Sequence, residues 1–134
     1  MAARPIRFFA DESILGVGKA LAIARRDVVH PGHALIPEVT TGTLDPVWIP
    51  IVAARSLVVI ARDRRIRTKP VERAMLRDHA LRVFWIAGKR DRSNWDNLTL
   101  LVRQWERIEL IVRSRGPGPW FQAISDSGIR ELSV

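Results

Sequence analysis

The sequence contains no cysteine, which excludes disulfide bonds and thiolate metal sites. It has no apolar run near the roughly 18 residues of a membrane-spanning helix, and its first residues lack the basic, apolar and small order of a signal peptide. We therefore expect a cytoplasmic protein that makes no membrane contact. Lysine is also scarce, because Lys19, Lys69 and Lys89 are the only lysines among 22 Lys and Arg residues.

The composition that remains is that of a basic globular domain. The 134 residues fit one domain, and 47% hydrophobic residues are enough for a core. The net charge is +8 and arginine carries most of the positive charge, which suits bidentate contact with phosphate and favours a polyanionic partner. The alternative explanation is an arginine-rich proteome of high genomic GC content.

Apolar runs and helical periodicity alternate along the chain. Strands are predicted at 6–10, 27–30, 57–61, 81–87 and 120–124, and helices at 14–26, 45–55, 71–80 and 94–114. Residues 31–44 show no periodicity and form a long connection, and 129–134 are predicted as a tail. This alternation predicts one α/β domain over residues 1–134, with a central, mainly parallel sheet between two helix layers, a three-layer α/β/α fold.

Acidic residues stand at the edges of these elements. Asp11 and Glu12 follow the first strand, Asp63 follows the 57–61 strand, and Asp45 precedes Pro46 at a helix start. In an open parallel sheet, ligand sites lie beyond the carboxyl ends of the strands. Carboxylates that meet there raise each other's pKa unless a cation binds, and Mg²⁺ prefers such oxygen ligands.

Each of these residues also has a purely structural interpretation. Asp45 before Pro46 is typical of a helix N-cap, the acids at 11–12 suit the next helix start, and Asp63 suits a turn. The arginines beside Asp63 would contact phosphates of a polyanionic partner or form a solvated face. The candidate phosphate contacts are Arg62, Arg64, Arg65, Asp91 and Asn94.

Three segments resemble PIN-like domains. Phe-Phe-Ala-Asp-Glu at 8–12 is similar to the first strand and first acid of that family. Asp45, with Trp-Ile at 48–49 and Ala-Ala at 53–54, resembles its Asp-initiated helix, and 57–66 resemble its last conserved strand and acid. The short spacing and the Asp-Glu pair resemble the PIN-like toxins of VapB–VapC toxin–antitoxin pairs. The resemblance places a nuclease core at about 6–66 and a C-terminal extension at about 70–134.

The resemblance implies an endoribonuclease toxin that depends on Mg²⁺ or Mn²⁺ and is inhibited by a cognate antitoxin. It implies Asp11, Asp45 and Asp63 as catalytic metal ligands, with Glu12 in support, and a homodimer is common in this family. The family has a further acid before the helix, for which Glu12 and Glu38 are candidates. Ala61 and Arg62 stand where members often have Ser or Thr.

Two other functions fit the same residues. A receiver-like phosphoacceptor domain also has an acidic doublet after its first strand and an Asp after a central strand. That hypothesis leaves the Asp45 helix start unexplained and lacks a suitably placed Thr and Lys. A non-catalytic module that binds nucleic acid or a partner protein would use the acids as caps only, and metal binding separates it from the nuclease.

Overall fold

A computed structural model describes residues 5–62, 69–88 and 92–133. The strands in this part of the chain are β1 (Phe8–Ala10), β2 (Val28–Val29), β3 (Val58–Ala61), β4 (Arg82–Ile86), β5 (Trp120–Ser125) and β6 (Gly128–Leu132). They form one sheet in the order β2-β1-β3-β4-β5-β6. The first five strands pair in parallel, whereas β6 runs antiparallel to β5. The predicted, mainly parallel sheet is confirmed.

Helices cover both faces of this sheet. They are α1 (Leu15–Ala24), α2 (Asp45–Ala54), α3 (Pro70–Asp78) and α4 (Asn94–Arg115). The buried residues of α1 and α4 pack on one face, and those of α2 and α3 pack on the other. The three-layer α/β/α fold is therefore confirmed. Among the described helices, none combines the length and apolarity needed to cross a membrane.

The central strands follow directly from their sequences. All residues of β1 and of β3 are buried, and both strands are continuous apolar runs. A strand covered by helices on both faces has no solvent side, so apolar and polar residues need not alternate along it. These two strands pair with each other, Ala10 opposite Ile60, which brings their carboxyl ends side by side.

Two details differ from the prediction. The segment expected as a tail contains β6, an edge strand that exposes Arg130 and Glu131 and therefore lacks an apolar run. Asp45 was predicted as the N-cap, but it is the first residue of α2 and Leu44 occupies the cap position without a side-chain hydrogen bond. The Asp45 carboxylate bonds to a side chain of its own helix instead.

Gly18 allows α1 to lie close against β1. A Cβ atom on Gly18 would lie 2.7 Å from the Cβ atom of Ala10 and 3.3 Å from that of His30. Real Cβ atoms essentially never approach another heavy atom within 3.0 Å, so a larger residue requires the helix or the strand to shift. Because Ala10 precedes Asp11, this packing helps to determine where the first acid lies.

Candidate functional site

Asp11 lies at the carboxyl end of β1, where its backbone N–H donates to the Ile60 carbonyl of β3 at 2.9 Å. Its Oδ2 atom accepts hydrogen bonds from the Ser13 N–H at 3.3 Å and from the Ser13 hydroxyl at 2.8 Å. The same hydroxyl oxygen accepts the backbone N–H of Arg62 at 2.9 Å. Ser13 therefore links Asp11 to the residue that directly precedes Asp63.

Asp45 approaches the same edge from the first turn of α2. Its Oδ1 atom accepts the indole N–H of Trp48 at 2.8 Å. Trp48 is buried and stacks on Phe9 of β1, with ring centroids 5.3 Å apart. The strand that carries Asp11 therefore also supports the side chain that orients Asp45.

A cleft joins these two acids. Its volume is about 320 Å³, and its lining consists of Asp11, Glu12, Ser13, Thr43, Asp45, Trp48 and Arg62. Below it lies a cavity of about 10 Å³ that is apolar except for Asp11, Asp45 and the two indoles of Trp48 and Trp85. The two aspartates thus lie between an open polar cleft and the apolar core.

The position of Asp11 affects its ionisation. Burial raises the pKa of Asp11 above its ordinary value, hydrogen bonds from Ser13 and the Glu12 backbone oppose this rise, and the charge of Asp45 adds to it. The two carboxylates are therefore close enough to repel each other. A bound cation would favour their ionised forms.

Glu12 lines the cleft and holds the long connection that precedes α2. Its Oε1 atom accepts the backbone N–H of Gly42 at 2.6 Å. Residues 31–44 contain neither a helix nor a strand, as predicted. One oxygen of Glu12 is thus already engaged by the loop, and its predicted supporting role at a metal remains a prediction.

The remaining predicted residues divide into two groups. Arg62 lines the cleft, whereas Asn94 begins α4, where its side-chain amide occupies the space that a Cβ atom on Gly16 would need. Asp63, Arg64, Arg65 and Asp91 lie outside the described residues. Across 5–62, 69–88 and 92–133, the side chains form no group of three or more His, Asp or Glu suited to a metal. Of the predicted acidic triad, two members are described and share the cleft.

Sequence reasoning missed three residues of the cleft, namely Ser13, Thr43 and the indole of Trp48 as a partner of Asp45. The Trp48 contact has a signal in the sequence, because residues three apart on a helix lie on the same side. Ser13 carries no such signal for its second bond, since Arg62 is 49 positions away.

Comparison with known proteins identifies one family. A family model described as a PIN-like domain matches residues 6–88, more than half of the chain. The matched region contains β1 to β4 and both aspartates of the cleft. No curated protein and no solved structure gives a significant match.

Proposed function

Because the chain belongs to the PIN-like domain family, we propose that it is a metal-dependent endoribonuclease whose active site is the Asp11–Asp45 cleft. One observation carries the proposal: β1 and α2 each contribute a carboxylate to a single cleft at the carboxyl edge of the sheet. This edge is where open α/β sheets bind their ligands.

The residues of the cleft fit Mg²⁺ or Mn²⁺. Asp11 and Asp45 supply hard oxygen donors, and burial together with the charge of Asp45 raises the pKa of Asp11, an effect that a bound cation would offset. We propose these two residues as metal ligands, with Asp63 as a third. When bound, the metal would activate a water molecule and offset negative charge on the scissile phosphate.

The other residues of the cleft have positioning roles in this proposal. Ser13 orients Asp11 and the backbone before Asp63 through its two hydrogen bonds. Trp48 orients Asp45 in the same way. Arg62, which lines the cleft, provides positive charge for a backbone phosphate without reading the base sequence. The basic side chains of Arg64 and Arg65 are proposed to extend this contact.

A non-catalytic module is the second candidate, and one observation favours it. Both aspartates already accept hydrogen bonds within the chain, so each has a structural role without a metal. However, the second oxygen of Asp45 accepts no hydrogen bond from any residue in the described part of the chain. A half-buried aspartate that lines a shared cleft and has one oxygen without a hydrogen bond among the described residues is better explained as a ligand than as a cap.

Cleavage of RNA tests this proposal. The purified protein should cut structured RNA in the presence of Mg²⁺ or Mn²⁺, and Asp11→Asn or Asp45→Asn should abolish cleavage while leaving the circular dichroism spectrum unchanged. Asp78→Asn is the matched control, because Asp78 is an exposed acid at the end of α3, outside the cleft. Equal cleavage by the Asn variants and the parent would overturn the catalytic assignment.

We further propose that the enzyme is the toxin of a toxin–antitoxin pair and that a cognate antitoxin covers the cleft. Leu44 and Val47, which flank Asp45, are 72% and 52% exposed and form an apolar rim suited to a protein partner. The gene directly upstream should encode a small protein that relieves growth inhibition by the parent. The same small protein should relieve growth inhibition by the Leu44→Glu variant less well. If the parent does not inhibit growth, the toxin role is excluded.

A further inference from the structure

A second polar cleft lies between α4 and the β5–β6 hairpin. Its volume is about 310 Å³, and it is lined by Gln104, Arg107, Ser125, Ser127, Gly128, Ile129 and Arg130. This lining contains two arginines and no carboxylate. It differs in this respect from the Asp11–Asp45 cleft, which is lined by three carboxylates and one arginine.

The two arginines are available to bind an anion. Arg107 and Arg130 are both exposed, and neither side chain forms a hydrogen bond or ion pair with any residue in the described ranges. The nearby carboxylate of Asp126 forms ion pairs with Arg92, at 3.2 Å, and with Arg103, at 4.0 Å, and not with Arg107 or Arg130. The positive charge of the cleft therefore has no internal partner among the described residues.

The walls of this cleft are held in place by hydrogen bonds of the hairpin turn. The hydroxyl oxygens of Ser125 and Ser127 are 3.0 Å apart, and the Ser125 hydroxyl donates to the Gly128 carbonyl at 3.3 Å. The Gln104 side-chain amide of α4 donates to the Ser125 carbonyl at 3.3 Å. Gly128 has a φ of 144° and carries no side chain, which leaves that wall open. The site is thus an ordered turn with two guanidinium groups beside it.

The position of the cleft relates it to the acidic site. β5 is parallel to β1, β3 and β4, so its last residue, Ser125, lies at the same edge of the sheet as Asp11. Three strand spacings separate β1 from β5, which corresponds to about 14 Å along that edge. A single RNA strand lying along the edge would therefore pass both clefts.

We propose that the Arg107–Arg130 cleft binds a backbone phosphate of the RNA substrate, a few nucleotides away from the scissile phosphate. The inference rests on the proposed nuclease function and adds a substrate contact to it. Guanidinium groups bind phosphate oxygens through paired hydrogen bonds, and this contact positions the strand without selecting its sequence. RNA is favoured over an acidic peptide because the cleft shares an edge with the acidic site.

RNA binding at several salt concentrations tests the inference. Fluorescence anisotropy would follow a labelled single-stranded RNA of about a dozen nucleotides, in an Asp45→Asn background that prevents cleavage. Replacing Arg107 and Arg130 with Gln should weaken binding about 10-fold and reduce the slope of log affinity against log salt by about 0.7, the value for one phosphate on a single strand.

The matched control replaces Arg26 and Arg77 with Gln, which changes the net charge equally. Both residues are exposed, and neither side chain forms a hydrogen bond or ion pair within the described part of the chain. Arg26 follows α1 and Arg77 lies near the end of α3, both away from the carboxyl edge. This control should bind RNA within about 2-fold of the parent, with an unchanged salt slope. Equal losses in the two double variants would overturn the inference, because the effect would then be one of net charge.

Two further outcomes separate this inference from the proposed function. If the parent does not cut RNA, but the Arg107–Arg130 variant loses RNA binding and the Arg26–Arg77 control does not, the nuclease proposal is wrong and the phosphate site stands. If the parent cuts RNA and both double variants bind it equally well, the phosphate site is wrong and the nuclease stands. The inference is also overturned if replacing the two arginines weakens the binding of polyglutamate more than the binding of RNA. The site would then favour an acidic peptide.

Discussion

Replacing Gly18 with Ala should destabilise the protein, whereas the same change at Gly16 in the same helix should not. A Cβ atom on Gly18 would lie 2.7 Å from the Cβ atom of Ala10, which is fixed to the backbone of β1. A Cβ atom on Gly16 would instead meet the end of the Asn94 side chain. Asn94 is exposed and can rotate away, so the two substitutions differ in whether the neighbour can move.

The expected magnitudes follow from two opposing terms. Alanine favours a helix over glycine by about 1 kcal/mol in the interior, and by less in the first turn where Gly16 lies. Inserting one carbon into a packed contact costs about 1–3 kcal/mol. Gly18→Ala should therefore lower the free energy of unfolding by up to about 2 kcal/mol, and Gly16→Ala should leave it unchanged or raise it by less than about 1 kcal/mol.

Urea unfolding followed by tryptophan fluorescence measures this difference, since Trp48, Trp85 and Trp120 are buried. Gly18→Ala should also weaken metal binding, because the strand that shifts carries Asp11. If Gly18→Ala proves as stable as Gly16→Ala, α1 does not lie against β1 as described, and the account of how Asp11 is positioned fails with it.

Two more substitutions test the site and the opposite edge of the sheet. Ser13→Ala removes a hydroxyl that donates to Asp11, so metal affinity should fall about 10- to 100-fold, as for other residues that orient metal ligands, whereas Ser13→Thr should restore it. Hydrogen bonds from Arg7, at 2.5 and 3.0 Å, lower the pKa of Glu109 below its ordinary value of 4.5. The ionised Glu109 therefore stabilises the fold at neutral pH, and this contribution is lost as pH falls through the lowered pKa. Glu109→Gln should therefore cost about 1–2 kcal/mol at neutral pH and flatten the acid limb of the stability curve, whereas Glu131→Gln, in an exposed ion pair, should change stability by less than about 1 kcal/mol.

The fold follows from the sequence wherever elements are buried on both faces or strongly periodic. β1 and β3 are continuous apolar runs, and the helix predicted at 94–114 is α4, which begins after Ser93, whose hydroxyl oxygen accepts the Asp96 N–H at 3.1 Å. β6 was missed because an edge strand exposes one side and needs no such run. Its pairing with β5 depends on the turn that ends at Gly128.

The candidate site was predictable as a set of acids and not as a geometry. Asp11 and Asp45 follow from their positions at the ends of elements in a parallel sheet. The bond between Ser13 and Arg62 depends on β1 and β3 lying side by side, which no local pattern encodes. The ion pair between Arg7 and Glu109 joins residues 102 positions apart, and it depends on α4 packing against the sheet next to β1.

Direct metal binding tests the central claim, that Asp11 and Asp45 hold a divalent cation. Titration of the protein with Mn²⁺, with free Mn²⁺ measured by electron paramagnetic resonance, requires neither RNA nor activity. The parent and the control Asp78→Asn should bind one or two Mn²⁺ ions, and Asp11→Asn and Asp45→Asn should bind at least about 10-fold more weakly. If both Asn variants bind Mn²⁺ with the same affinity as the parent, Asp11 and Asp45 are not the metal ligands.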